Sequence, residues 1–256
     1  SPIYTDPFSE NDIMISFNDV NLKFLNKVIK EEYEPTSIYK YTINTDKKKI
    51  KIRVKYLNSI KDFFLEKKEE TKNFLTLSTI FKDDYRLINI FYDYYKKQGV
   101  EHFYLYYNGK LNKEIIQLFS KIDITLIQWD FRYWITRGSG ERRKIWKYRH
   151  HAQLGSLNHA LYKYGKENSD YMIFNDLDEY FYIPDKTIFE LLKKHNYDNL
   201  QFCNIWSTTL DLKTPDKFPL KFKRSNNKYK YKYRSKNIYK CESVKNIGIH
   251  ECRYYE

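Results

Sequence analysis

The stretch FLTLSTIFKDDYRLINIFYDYYKKQGVEHFYLYYNG, Phe74 to Gly109, changes its hydrophobic period twice. FLTLSTIF is a short apolar and β-branched run, which predicts a strand. DYRLINIFYDYYKKQG spaces its apolar residues as a helix does and ends at Gly99, a C-cap residue. VEHFYLYY returns to strand composition and is closed by the turn dipeptide Asn108-Gly109. Strand, helix, strand is the unit of a parallel sheet, whose right-handed crossovers cover it with helices.

The alternation continues outward. LNKEIIQLFSK predicts a short helix, IDITLIQW a strand, and KYRHHAQLGSLNHALYKYG a long helix stopped at Gly165. A strand follows from Tyr171, then a helix, KTIFELLKKH, and a strand, NLQFCNIWS. KYKYKYR further on has the two-residue period of a strand with one wet face. The expected fold over residues 71–256 is therefore α/β, a Rossmann-like, mostly parallel sheet with helices on both faces. Ligands of such sheets gather at the carboxyl ends of the strands. Residues 1–70 read differently. IYKYTINTDKKKIKIRVKY alternates on both sides of a polar turn, Asn44 to Lys49, and predicts a hairpin; LNSIKDFFLEKKEE predicts a charged helix. Together they predict a small N-terminal β/α appendage to the main domain.

Composition sets the bounds. A chain of 256 residues with 26 Tyr and 17 Phe buries a full core and is not a disordered one. The net charge of +13 is uneven, since Lys213 to Lys240 holds nine Lys and two Arg against Asp216 alone. Such a patch suits phosphates, a polyanion or peripheral contact with an anionic membrane. Cys203, Cys241 and Cys252 show neither an even count nor CxxC spacing, which argues against a zinc site and a disulfide framework. Reduced thiols fit a cytoplasmic or cytosol-facing location. No run reaches the ~18 apolar residues of a membrane span, and a start at Ser1 fits a domain excised from a longer protein.

The chemistry is concentrated in YMIFNDLDEYFYIP, Tyr171 to Pro184, where Asp176, Asp178 and Glu179 interrupt an apolar run. In an extended segment Asp176 and Asp178 face one side and Leu177 the core. Three partly desolvated acids repel one another, and a hard divalent cation relieves that cost. The same letters also suit an ordinary solvated turn, or pairing with the many Lys and Arg residues. Placement after an apolar strand in an alternating fold favours binding of a metal diphosphate.

MIFNDLDEYFYIP resembles the DxDE segment of nucleotide-sugar glycosyltransferases of the GT-A type, in particular family 92 and the related family 2 branch. The likeness extends to the opening strand and helix with GVEHFYLY, to HAQLGSLNHALYKYG, and to SVKNIGIHECRYY, and so covers roughly Phe74 to Tyr255. One departure is Tyr106-Tyr107-Asn108, where the family often has Tyr-Asp-Asn, so the acidic residue of that position is a tyrosine here.

The resemblance implies a GT-A domain over residues 71–256 and a UDP-sugar donor held through Mn²⁺ or Mg²⁺. It implies Asp178 as metal ligand, Asp176 on the metal or the ribose, and Glu179 supporting the cluster with a catalytic part. His250 is the implied third ligand, although a lone histidine is commonly structural. Lys82, Asp83 and Asp84 follow the first strand, where nucleotide contacts are expected; an Asp there also suits a helix N-cap. Asn108, Trp129 and Tyr133 are candidates for the same pocket. The basic loop RGSGERRKIWKYRHH offers Arg149 as a diphosphate clamp, and Gln153 and Asn158 match family positions near the donor sugar. Asp211 is the candidate general base for an inverting transfer, with Asp216 and Glu242 behind it. The acceptor would be a glycan or glycoprotein. The rival function is a metal-dependent nucleic-acid-binding protein or enzyme, to which acids plus Lys-Tyr alternation also fit; no established nucleic-acid motif accompanies it.

Overall fold

The computed structural model describes residues 13–18, 20–22, 24–29, 37–41, 43–66, 72–133, 151–204, 207–209, 222–224, 231–249 and 252–254. The chain divides into two compact units, Ser1–Thr71 and Lys72–Glu256.

The first unit holds β1 (Ile13–Phe17), β2 (Val20–Asn21), β3 (Phe24–Ile29), β4 (Ser37–Tyr41), β5 (Lys49–Tyr56) and β6 (Ser59–Glu66). Two expectations are corrected here. The anticipated hairpin does not form, because β4 pairs with β3 while β5 lies between β1 and β6 in an antiparallel sheet ordered β2-β1-β5-β6. The anticipated helix is strand β6. Ile60, Phe63 and Phe64 fit helical spacing, but a two-residue turn, Leu57-Asn58, sets Tyr56 opposite Ser59 and commits the chain to strand pairing. Cross-strand pairs then fit the register, with Lys51 and Arg53 meeting Asp62 at 2.6 and 2.8 Å and Lys49 meeting Glu66 at 3.2 Å.

The second unit is the expected α/β layer. Its elements are β7 (Asn73–Phe81), α1 (Ile88–Lys97), β8 (His102–Tyr107), α2 (Lys113–Phe119), β9 (Thr125–Gln128), α3 (His151–Ala160), β10 (Ser169–Phe174), α4 (Ile188–Lys194) and β11 (Asn199–Asn204). After these come β12 (Ser207–Thr209), β13 (Phe222–Arg224), β14 (Tyr231–Lys240), β15 (Val244–Ile247) and β16 (Cys252–Tyr254). The main sheet runs β11-β14-β10-β7-β8-β9, with β10, β7, β8 and β9 parallel and β14 antiparallel to both neighbours. The antiparallel insertion matters for the site, because β14 starts rather than finishes at the carboxyl edge of the parallel strands.

Each face has its own core. On one, Ile88, Phe91 and Tyr95 form the buried stripe of α1 over Leu75, Phe103, Leu105 and Ile173. On the other, Ala152, Leu157 and Ala160 of α3 pack with Tyr106, Met172 and Tyr239. Full burial of one such apolar side chain stabilises the fold by roughly 1.5–3 kcal/mol. Gly99 closes α1 at φ +92°, with its N–H bonded to Lys96 O and that of Val100 to Tyr95 O, each at 3.0 Å. Gly165 has another part than the one expected. The helix passes through it as a π-helical turn, Leu161–Gly165, and ends at Asn168. A Cβ on Gly165 would press on Cys241 Sγ at 3.2 Å, so packing accounts for the glycine.

No helix among the described residues is long and apolar enough to cross a membrane. Cys203 and Cys241 are free thiols.

Candidate functional site

At the carboxyl ends of β7, β8, β9 and β10 lies a cleft of about 600 Å³, lined among others by Lys82, Asp84, Asn108, Asp130, Arg132, Tyr133, Asp176 and Asp178. Its size is that of a small-molecule site.

The acidic segment differs from the expected extended strand. β10 ends at Phe174, the chain turns at Leu177-Asp178, and Tyr180 to Pro184 does not resume a strand. The turn is held from below. Tyr95, fully buried in α1, donates its hydroxyl to Glu179 O at 3.0 Å and accepts from Phe181 N at 3.2 Å and from Asn175 Nδ2. Asn175 Nδ2 also donates to Glu179 O at 2.8 Å, and Glu179 N to Asp176 O at 3.1 Å. Leu177, 4% exposed, anchors the turn in the core and leaves both aspartates on the cleft.

Lys236, the partner that sequence reasoning missed, is 6% exposed on β14. Its ammonium meets Asp176 Oδ2 at 2.7 Å and Glu179 Oε2 at 3.1 Å. Glu179 Oε2 also accepts from Asp176 N at 3.2 Å. Through these ties the Glu179 carboxylate buttresses the turn, and Glu179 does not line the cleft. Gln153 donates to Asp176 Oδ1 at 3.3 Å and accepts from the Tyr133 hydroxyl at 3.0 Å, so α3 reaches the cluster through one side chain.

Electrostatics follow from this crowding. Burial, and then the charge of Asp176, push the Asp178 carboxyl above its ordinary range. Burial raises Glu179 too, with Lys236 offsetting part of it. Burial alone would depress the Lys236 ammonium, but Asp176 and Glu179 outweigh it and hold it charged. Tyr133 is pushed up to about 12 by burial and by Asp176. A cation beside Asp178 would relieve this strain, and Asp178 lies open to the cleft.

Other candidates divide. Lys82 and Asp84 line the cleft, and Asp84 makes no side-chain cap bond, so capping does not occupy it; Asp83 is exposed outside the lining. Asn108 lines the cleft, but its amide is spent on Trp129 O and Phe131 O, both at 2.8 Å, which shapes the loop carrying Asp130 and Arg132. Trp129 is a packing residue behind the cleft, donating to Ala152 O at 2.8 Å. Asn158 braces the backbone of β15, its oxygen accepting from Ile247 N at 3.0 Å and its NH₂ donating to Ile247 O at 2.8 Å. Glu242 pairs with Lys240 at 2.7 Å, beside the start of β10 and at the opposite end of the sheet from the cleft. Arg149, Asp211, Asp216 and His250 lie outside the described residues, among which no group of three His, Cys, Asp or Glu is placed to hold a metal.

Near this site, His159 contacts the Tyr106 hydroxyl at 2.7 Å and packs on Trp129. Burial, helped by Lys163, lowers its pKa from 6.5 to about 4. The unfolded chain takes up that proton first, so stability present above pH 6.5 is lost as pH falls towards 4. Urea unfolding at pH 7 and pH 5 should show wild type losing roughly 1–2 kcal/mol more than His159→Leu. Equal losses in the two proteins would show that His159 does not titrate in this way.

The model of glycosyltransferase family 92 matches residues 75–255. No curated protein and no solved structure matches the chain. The matched span runs from β7 to the last described strand and so takes in every cleft residue named above. With fold, cleft and matched span coinciding, the chain belongs to glycosyltransferase family 92 and is a sugar-transferring enzyme.

Proposed function

We propose that this glycosyltransferase takes its sugar from a UDP-sugar with the help of Mn²⁺ or Mg²⁺ and passes it, with inversion, to a glycan or protein-linked acceptor. The observation that carries this reading is the acidic turn at the carboxyl end of β10, open to a cleft that also presents Lys82 and Arg132. The donor set fits the cation. Mg²⁺ and Mn²⁺ take oxygen ligands and usually bind through one or two carboxylates plus substrate phosphates, so Asp178 with Asp176 suffices without a complete protein cage. When bound, the cation would neutralise charge building on the departing diphosphate.

The chain's own residues supply the rest. Lys82 and Arg132 line the cleft and in this reading meet phosphate oxygens as charged donors. Gln153, itself held by the Tyr133 hydroxyl, donates to the outer oxygen of Asp176, and Lys236 holds the inner one. Arg149 remains the proposed clamp, His250 the proposed third ligand and Asp211 the proposed base that takes the acceptor hydroxyl proton.

A donor-hydrolysis panel of UDP-glucose, UDP-galactose, UDP-xylose and UDP-N-acetylglucosamine, with and without Mn²⁺, tests the reading. The expected result is metal-stimulated release of UDP from one or two of them. Release of no UDP from any donor, or release indifferent to Mn²⁺, counts against it.

A further inference from the structure

Lys236 does more than a surface basic residue can. Its ammonium is enclosed on β14 and holds both Asp176 Oδ2 and Glu179 Oε2. Two of the three acids of the turn therefore already share a cation supplied by the protein. Asp178 has no hydrogen bond or ion pair to another described side chain, and it is the exposed member. The remaining oxygen of Asp176 faces Gln153 at 3.3 Å, a long bond that can yield.

We propose that Lys236 is the resident cation of the acidic turn, reserving its inner half so that a divalent cation is left with Asp178 and the outer edge of Asp176 and is retained only together with a diphosphate. This rests on the UDP-sugar reading and adds an order of assembly to it. With the Asp178 carboxylate and one oxygen of Asp176 left to it on the turn, the cation lacks about half of its ligands until phosphate oxygens arrive. Lys236 is a positioning residue here, since it acts through Asp176 and Glu179 and does not line the cleft. Without its charge the turn would carry three uncompensated acids and freed ligand oxygens, and would bind a divalent cation better before the nucleotide comes. A lysine needed only for folding predicts the opposite sign, weaker metal binding in a damaged site.

The experiment is a Mn²⁺ titration of the protein, followed by the electron paramagnetic resonance signal of free Mn²⁺, with and without UDP. In wild type Mn²⁺ should bind weakly alone and at least about tenfold tighter with UDP. In Lys236→Met the affinity without UDP should rise about tenfold, the order expected of removing one nearby positive charge. Lys236→Arg, which keeps the charge, should stay near wild type. Circular dichroism checks folding, and Lys236→Gln replaces the Met variant if that one unfolds.

Tight Mn²⁺ binding to wild type without UDP overturns the proposal, and does so even if neither neutral variant folds. An unchanged or weakened affinity in a folded neutral variant overturns it too, as does an equal gain in Lys236→Arg. If UDP fails to raise Mn²⁺ affinity in wild type, the UDP-sugar reading itself fails, and the proposal with it.

Discussion

Replacing Asp178 by Ala should lower the rate of sugar transfer roughly a thousandfold while leaving the melting temperature at or above that of wild type. The rate effect follows from the proposed function: Asp178 is the exposed carboxylate of the acidic turn and lines the cleft, and in that proposal it shares a cation with the donor diphosphate. Loss of about 4 kcal/mol of transition-state stabilisation corresponds to that factor. The stability effect follows from the environment. Asp178 has no described side-chain partner to lose, and its charge is opposed by burial and by Asp176. Removing it relieves repulsion in the metal-free fold. Donor turnover and thermal unfolding on the same preparation check both halves. A variant that keeps more than a tenth of the activity would contradict the role given to Asp178, and one that unfolds early would contradict its electrostatic setting.

Tyr95→Phe should have the largest effect on stability of any single-atom change at the site. The lost hydroxyl serves Glu179 O, Phe181 N and Asn175 Nδ2, all inside the protein. Orphaning buried polar groups costs about 1–3 kcal/mol each. Because Asn175 still serves Glu179 O, a total of roughly 2–3 kcal/mol is expected, or a fall in melting temperature of about 5–10 °C. Transfer should also slow by about tenfold or more, because Asp176 and Asp178 sit on the turn the hydroxyl fixes. Tyr94→Phe is the control. Among the described residues its hydroxyl makes one bond, to Phe181 O at 2.6 Å, and its loss should cost only about 1 kcal/mol with little effect on turnover. Similar losses in the two variants would mean that the turn does not depend on Tyr95.

Much of the second unit was legible because each element obeys one period. The fully buried strands β7 and β10 read as apolar runs, α1 shows its stripe at Ile88, Phe91 and Tyr95, and Gly99 marks the helix end. The first unit was less legible, since Ile60, Phe63 and Phe64 satisfy both helical and strand readings and only pairing with β5 decides between them. At the cleft, acids interrupting an apolar run marked Asp176 and Asp178, and the fold brings both to the lining. Their supports did not show. Lys236 is 60 residues from Asp176 along the chain and hides in a lysine-rich segment, and only the antiparallel course of β14 carries it under the turn. Tyr95 is one of 26 tyrosines, and its hydroxyl matters because of where Asn175 and Phe181 end up. For Asn158, family position suggested the sugar, whereas the fold spends its amide on the backbone of Ile247.

The central claim is that the cleft binds UDP through a divalent cation on Asp178, and calorimetry of UDP with wild type and Asp178→Ala, each with and without Mn²⁺, tests it most directly. Wild type should bind UDP at least about tenfold tighter with Mn²⁺ than without, and the variant should bind weakly and to the same extent in both. UDP affinity that is absent, or that is indifferent to both the metal and the substitution, would contradict the account.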